Sequence, residues 1–92
     1  MNKRINNLIV YVSSRNNYDM LENEVFKNIN LEGFEFINVD DCSDPEEQKK
    51  GKEICRKRDI IFLENKSRGV QMATQTLIDF ISRELNDYRG LT

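Results

Sequence analysis

The residues FEFINVDDCSDPEE, 34–47, carry the clearest fold signal in the chain. The first six are mostly apolar, which is typical of a strand. A polar loop follows, and then the signals of a helix start. Asp44 can cap a helix, Pro45 suits the first helical position, and the two glutamates favour its positive end. A strand that leads through a short loop into a helix is the building unit of a parallel α/β sheet.

Strand and helix patterns recur on both sides of this stretch. LIVYV (8–12) and IIFL (60–63) are continuous apolar runs, typical of strands that are buried on both faces. Apolar residues at spacings of three and four predict amphipathic helices over residues 18–29 and 69–85. The helix after residue 44 is mostly charged and contains Gly51, so we expect it to be short and loosely packed.

These elements predict a three-layer, Rossmann-like α/β fold with the order β-α-β-α-β-α and a small parallel sheet. With 92 residues, 38% of them apolar, the chain supports a single domain over residues 1–92. We expect residues 87–92 to form an irregular tail. Because a three-stranded sheet is narrow, an apolar edge strand is open to pairing with another chain.

Composition excludes several classes of function. The formal charge is −2, with 14 basic and 16 acidic residues, whereas nucleic-acid binders carry a basic excess. No apolar run reaches the ~18–20 residues that span a bilayer, and no signal-peptide pattern follows Met1. We therefore expect a cytoplasmic protein with no membrane span. Histidine is absent, and Cys42 and Cys55 fit neither a disulfide scaffold nor a zinc site, so we predict ordinary thiols.

Polar loops follow all three predicted strands, and open parallel sheets bind ligands at the carboxyl ends of their strands. The loops are SSRNN (13–17), DDCSD (40–44) and ENKSRG (64–69). We expect them to share one rim, whose acidic, hydroxyl and cationic groups suit a ligand with a base or sugar and an anionic part. The adjacent carboxylates of Asp40 and Asp41 repel each other, and a bound ligand or cation would relieve that repulsion.

Simpler roles for these loops stay open. Loops after strands are polar in most proteins, whether or not they bind a ligand. Ser13, Ser14 and Asn16 are equally suited to capping the first helix. Asp44 is best explained as a helix cap. A Rossmann dinucleotide site and a P-loop are excluded, because both need glycines after the first strand and the first glycine is Gly33.

The three loops also share an order and spacing with a known family. The first strand ends in VSSRN (12–16) and the second in VDDCSD (39–44); the third is followed by EN (64–65) and GVQMATQ (69–75). This pattern resembles the N-terminal half of family 2 glycosyltransferases, inverting enzymes with a nucleotide-diphospho-sugar transferase fold. The family's patterns are Pro-Ser/Thr-Tyr/Arg-Asn, Val-Asp-Asp-Gly-Ser-x-Asp, and Asn-x-Gly before a helix that ends in Ala-Arg-Asn. The resemblance covers residues 7–82.

The chain departs from the family pattern at several positions. Ser13 replaces proline, and Cys42 replaces glycine, so we expect the turn at residue 42 to avoid a positive φ. Thr74 and Gln75 stand where the family often has arginine and asparagine, which weakens any phosphate contact from this helix.

The resemblance implies a strand order of 3-2-1 and a nucleotide-sugar site on the rim. One of Asp40 and Asp41 would accept a hydrogen bond from a ring N–H, with a UDP-sugar favoured over a GDP-sugar. Arg15, Lys66 and Arg68 would supply positive charge near the diphosphate. The substrate-binding residues that it implies are Ser13, Ser14, Arg15, Asn16, Asp40, Asp41, Ser43, Asn65, Lys66, Arg68 and Gly69.

The resemblance leaves catalysis outside this chain. The family's metal motif, Asp-x-Asp, does not occur after Glu64, and the catalytic base would lie further downstream. We therefore expect no catalytic residue, metal ligand or cofactor in these 92 residues, although a complete enzyme would use Mg²⁺ or Mn²⁺. The chain is expected to bind a nucleotide-diphospho-sugar as a truncated transferase that is inactive alone.

Two other hypotheses remain. One is a non-catalytic interaction module that forms a homo-oligomer through an exposed sheet edge. The other is an unrelated small flavodoxin-like binding domain, for which strand one would lie in the middle of the sheet.

Overall fold

The computed structural model describes residues 8–29 and 34–89. The chain is α/β and compatible with a Rossmann-like fold, and strands and helices alternate as the sequence predicts. In chain order the elements are β1 (Leu8–Ser14), α1 (residues 18–28), β2 (Phe34–Asp40), α2 (Pro45–Lys57), β3 (Ile61–Glu64) and α3 (Val70–Arg89).

The three strands form one parallel sheet with the order β1-β2-β3. The order expected from the resemblance was 3-2-1, whereas the observed order is 1-2-3. Each crossover connection adds the next strand on the same side of the sheet, so the strands follow chain order. Both notations place β2 in the centre. Since β1 lies at an edge, the structure does not have the central strand one expected of a flavodoxin-like domain. Ser14, Asp40 and Glu64 are paired across the sheet, so the strands end in line.

The helices cover both faces of the sheet. Side chains of α1 and α2 pack with Phe36 of β2 in one buried cluster, to which Tyr18, Phe26 and Ile54 belong. On the other face, Ala73 and Leu77 of α3 pack against alternate residues of β2. The three layers expected from the sequence are therefore present. None of the described helices is both long and apolar enough to cross a membrane.

Helix α1 changes its winding along its length. It begins as an α-helix (Tyr18–Met20), continues as a π-helix (Leu21–Val25) and ends as a 3-10 turn (Phe26–Asn28). A π-turn holds more residues than an α-turn, so it shifts the buried stripe by one position. Phe26 is consequently buried, whereas the spacing of three and four residues along the sequence predicts Val25 in that stripe.

Helix α2 is longer and better packed than expected. It has 13 residues and buries Gly51, Ile54 and Cys55. The prediction failed because the ring of Tyr18 fills the space above Gly51 and so provides packing that the charged sequence does not reveal. Burial raises the pKa of the Cys55 thiol to about 12, as for an unreactive core cysteine.

Helix α3 also runs further than predicted. It ends at Arg89, so residues 87–89 belong to the helix rather than to an irregular tail. Residues 90–92 lie outside the described residues.

Gly51→Ala should destabilise the fold even though alanine is the better helix former. A Cβ at residue 51 would lie 2.5 Å from Cε2 of Tyr18, closer than packed carbon atoms approach. We expect a net loss of about 1–2 kcal/mol, because overpacking outweighs the gain in helix propensity of roughly 1 kcal/mol. Urea unfolding measures this change in the free energy of unfolding. The control is Lys49→Ala, at an exposed residue of the same helix. A variant as stable as the wild type would contradict the Tyr18 packing.

Candidate functional site

The three polar loops meet on one rim of the sheet, as predicted. The strands end in line, and two backbone hydrogen bonds continue the ladder past them. The Asp41 N–H donates to the Ser14 carbonyl at 2.7 Å, and the Asn65 N–H donates to the Asp40 carbonyl at 2.9 Å. The rim therefore has a fixed backbone, and what it can bind depends on which side chains remain accessible.

Asp40 is fully buried and surrounded by donors. Its Oδ1 accepts from the hydroxyls of Tyr18 at 2.6 Å and Ser43 at 2.5 Å. Its Oδ2 accepts from the Ser43 N–H at 3.0 Å and from Nε2 of Gln48 at 2.9 Å. A carboxylate offers about four lone-pair sites, so all of them are used within the protein.

A second layer of polar side chains extends this arrangement, which we call the Asp40 network: Ser14, Tyr18, Asn38, Asp40, Ser43 and Gln48. The Ser14 hydroxyl donates to Oδ1 of Asn38 at 2.8 Å, and Asn38 donates to the Tyr18 hydroxyl at 2.9 Å. The Tyr18 hydroxyl then donates to Asp40. The network joins β1, α1, β2 and α2 in the core.

Burial and hydrogen bonding oppose each other at Asp40. Burial raises the pKa of its carboxyl, but hydrogen bonds from Ser43, Tyr18 and Gln48 outweigh that effect and hold the pKa below its ordinary value. Burial, together with the bond to Asp40, raises the pKa of the Tyr18 hydroxyl well above its ordinary value. Asp40 is therefore a buried anion, and Tyr18 remains a neutral donor.

The structure corrects our interpretation of the two adjacent carboxylates. We expected a ligand or cation to relieve their repulsion, but protein groups do so. Side chains alternate between the faces of a strand, so Asp40 points towards α1 and α2 while Asp41 contacts the loop before α3. Three of the residues expected to touch substrate, Ser14, Asp40 and Ser43, are buried, and their side chains bond within the Asp40 network.

Two strained turns join the first two loops. Asn16 has φ 53°, and its N–H donates to the Ser43 hydroxyl at 2.9 Å. Its Oδ1 accepts from the Asp44 N–H at 2.9 Å, and Asp44 lies at the N-cap of α2 without a side-chain cap bond. Cys42 has φ 59°, so the expectation of a turn without positive φ was wrong. The N–H and the hydroxyl of Ser43 donate to the Asp40 carboxylate across this turn. These two hydrogen bonds hold Cys42 in the conformation that glycine favours.

Asp41 lies at the surface of the rim, at the centre of a group that we call the Asp41 cluster: Asp41, Asn65, Arg68, Gly69 and Thr76. Its Oδ1 accepts from Nδ2 of Asn65 at 3.0 Å and from the Gly69 N–H at 2.9 Å. Its Oδ2 has Arg68 Nε at 3.7 Å, beyond hydrogen-bond distance. Its side chain is 16% exposed. Two donors hold Oδ1, whereas Oδ2 lies beside the Arg68 guanidinium and accepts no hydrogen bond from the described residues.

Hydrogen bonding keeps Asp41 charged. The bond from Asn65 lowers the pKa of its carboxyl below the ordinary value, with help from the Gly69 N–H and from the charges of Arg68 and Arg15. The group is an anionic acceptor at neutral pH.

The remaining predicted residues divide between two places. Ser13 and Arg15 are exposed next to the rim, and Arg68 lines a depression at the start of α3. Lys66 lines a different depression, beside β3, so it is not grouped with Arg68. The sequence analysis missed four residues that the structure brings to the site: Tyr18, Asn38, Gln48 and Thr76.

The described residues hold no group of three or more His, Cys, Asp or Glu side chains that could ligate a metal ion. Asp40, the acidic residue most central to the rim, already has its oxygens occupied by donors. The divalent cation of the family therefore does not fit the residues described, and we derive no step through it.

Comparisons with known proteins give no match: no protein-family model matches the chain, and no curated protein or solved structure is significantly similar to it. The resemblance to family 2 glycosyltransferases stays a prediction that rests on the three loops.

Asp40→Asn should destabilise the protein and make its free energy of unfolding less dependent on pH in acid solution. The pKa of Asp40 is lowered on folding, so its contribution is complete above about pH 5 and is lost as the pH falls towards its folded value. The amide NH₂ of asparagine would face groups that themselves donate to residue 40. We therefore expect the free energy of unfolding at neutral pH to fall by at least about 2 kcal/mol. Urea unfolding at pH 7 and pH 3 checks both effects. Exposed Asp79→Asn is the control, and equal losses in the two variants would contradict the Asp40 network.

Proposed function

We propose that the rim binds a nucleotide-diphospho-sugar, with Asp41 as the acceptor for a ring N–H of the base. The observation that carries the proposal is the geometry of Asp41. Its Oδ1 is anchored by Asn65 and by the Gly69 N–H, while its Oδ2 has no donor at hydrogen-bond distance among the described residues and has the Arg68 Nε at 3.7 Å. A fixed, charged acceptor at the carboxyl end of a parallel sheet suits a polar ligand edge. Asp40 has no free lone pair to play this part.

The single available oxygen favours uracil over guanine. Guanine presents a ring N–H and an amino group side by side, and both oxygens of a carboxylate are needed to accept from them. Asp41 offers only Oδ2, because Oδ1 is already occupied. Uracil presents one ring N–H between two carbonyl groups, which matches one acceptor. Cytosine presents an accepting ring nitrogen at that position and can donate to Oδ2 only through its exocyclic amino group, so it matches this acceptor less well than uracil.

Cations beside Asp41 support the anionic half of the ligand. Arg68 is 63% exposed and Arg15 is exposed, and both act electrostatically on the Asp41 carboxylate. Guanidinium groups bind phosphate oxygens through charge-assisted hydrogen bonds. The hydroxyl of Ser13 is exposed at the end of β1 and available to the ligand.

UDP should bind more tightly than GDP or CDP, and Asp41→Asn should remove that preference. Asparagine keeps an oxygen for the donors from Asn65 and Gly69, but it turns an amino group towards the base. We expect UDP affinity to fall by at least about tenfold, the loss of one charge-assisted hydrogen bond. Isothermal titration measures binding to both proteins.

The matched control is Asp79→Asn, an exposed aspartate on α3 that bonds to Gln75. Unfolding curves show whether each variant keeps its fold. Equal affinities of the wild type for UDP and CDP would contradict the assignment of Asp41, and so would UDP binding that survives Asp41→Asn.

A second candidate function, pairing with another copy of the chain, is favoured by the contrast between the sheet edges. Strand β1 has seven residues and no charge, and Val10 and Tyr11 are each 39% exposed. Strand β3 has four residues, and a salt bridge of 3.1 Å joins Glu64 to Lys52, whose ammonium lies 6.0 Å from the Phe62 ring centroid. Charged side chains protect an edge from pairing, so β1 is the edge suited to a partner strand.

Tyr11→Lys should weaken this self-association. In a two-fold antiparallel pairing centred on residue 11, the variant places two lysines opposite each other, and like charges there are destabilising. Light scattering over a range of concentrations should show a wild-type dimer that the variant shifts to monomer. Ile78→Lys, at an exposed apolar residue of α3, serves as the control. A wild-type monomer at every concentration would contradict pairing through β1.

A further inference from the structure

Asn65 joins the Asp41 carboxylate to helix α3. Its Nδ2 donates to Oδ1 of Asp41 at 3.0 Å, and its Oδ1 accepts from the hydroxyl of Thr76 at 2.7 Å. Asn65 is 7% exposed, so water competes little for either end of its amide group. Its backbone N–H is held by the carbonyl of Asp40. A side chain of α3, outside the three rim loops, is therefore connected to the Asp41 carboxylate.

We propose that Thr76 and Asn65 are positioning residues for ligand binding: the Thr76 hydroxyl orients the Asn65 amide, and that amide fixes the Asp41 carboxylate. The fixed carboxylate keeps Oδ1 inside the cluster and presents Oδ2 to the rim. The link to a ligand rests on the proposed function, whereas the orientation of Asp41 does not.

The orientation follows from the two different ends of an amide group. In the observed orientation, the amino end faces a carboxylate and the carbonyl end faces a hydroxyl donor. The opposite orientation would place a carbonyl oxygen against the carboxylate, two acceptors with no proton between them. Without the Thr76 hydroxyl, the carbonyl end of a buried amide would lose its donor, which costs free energy and loosens the amide. The lowered pKa of Asp41 agrees, since the hydrogen bond from Asn65 is its largest cause.

The test compares Thr76→Val, which removes the hydroxyl at similar side-chain volume, with Thr76→Ser, which keeps it. Thr74→Val is the matched control, because the exposed Thr74 hydroxyl bonds, among the described residues, to the Val70 carbonyl of its own helix. Carbon-detected NMR gives the titration midpoint of the Asp41 carboxyl in each protein, and UDP titration gives the affinity. In Thr76→Val we expect the proton affinity of Asp41 to rise, and UDP affinity to fall, each by a factor of about 2 to 10.

Thr76→Ser and Thr74→Val should retain wild-type values in both measurements. A folded Thr76→Val protein with the wild-type Asp41 midpoint would overturn the proposal. A higher midpoint in that variant, combined with no UDP binding by the wild type, would contradict the proposed function and still support the positioning of Asp41. If Thr76→Val does not fold, the wild type supplies the test, because the side-chain amide signals of Asn65 should shift with the Asp41 midpoint. Asn65 amide signals that do not change as Asp41 titrates would overturn the proposal.

Discussion

The buried carboxylate of Asp40 is the interaction on which the rest of this structure depends. An ion in a protein core is costly unless donors replace the water that it loses. Tyr18, Ser43 and Gln48 supply those donors, and they come from α1, from the loop after β2 and from α2. Satisfying one anion therefore sets where both helices lie on the sheet. It also explains Gly51, which leaves room for the ring of Tyr18.

The same arrangement gives the two adjacent aspartates, Asp40 and Asp41, different surroundings. The end of β2 presents successive side chains to opposite faces, so one carboxylate enters the core and the next reaches the rim. Asp40 is saturated by protein donors, whereas Oδ2 of Asp41 accepts no hydrogen bond from the described residues. Adjacent like charges are tolerated here because each has its own donors, and no ligand is needed to separate them. Of these two aspartates, Asp41 is the one that we propose as the contact to a ligand.

The sequence predicted the sheet, the alternation of elements and the shared rim, because these follow from apolar runs and from polar loops after strands. It could not predict the π-turn in α1, which depends on packing and moves burial to Phe26. It also could not show that Cys42 adopts a positive φ, because neighbouring hydrogen bonds stabilise that turn. The roles of Asp40 and Asp41 were left open, although strand alternation predicts opposite faces. Thr76 gave no signal, since its hydroxyl reaches the rim only through the side chain of Asn65.

We infer that Asp40 stabilises the rim from within the core, and we propose that Asp41 contacts the ligand. Residue-resolved NMR of the carboxyl carbons, recorded on the wild type during a titration with UDP, tests this most directly. We predict that the Asp41 signal shifts with UDP, together with the amide of Gly69, while the Asp40 signal stays in place. A shift of Asp40 without a shift of Asp41 would contradict it.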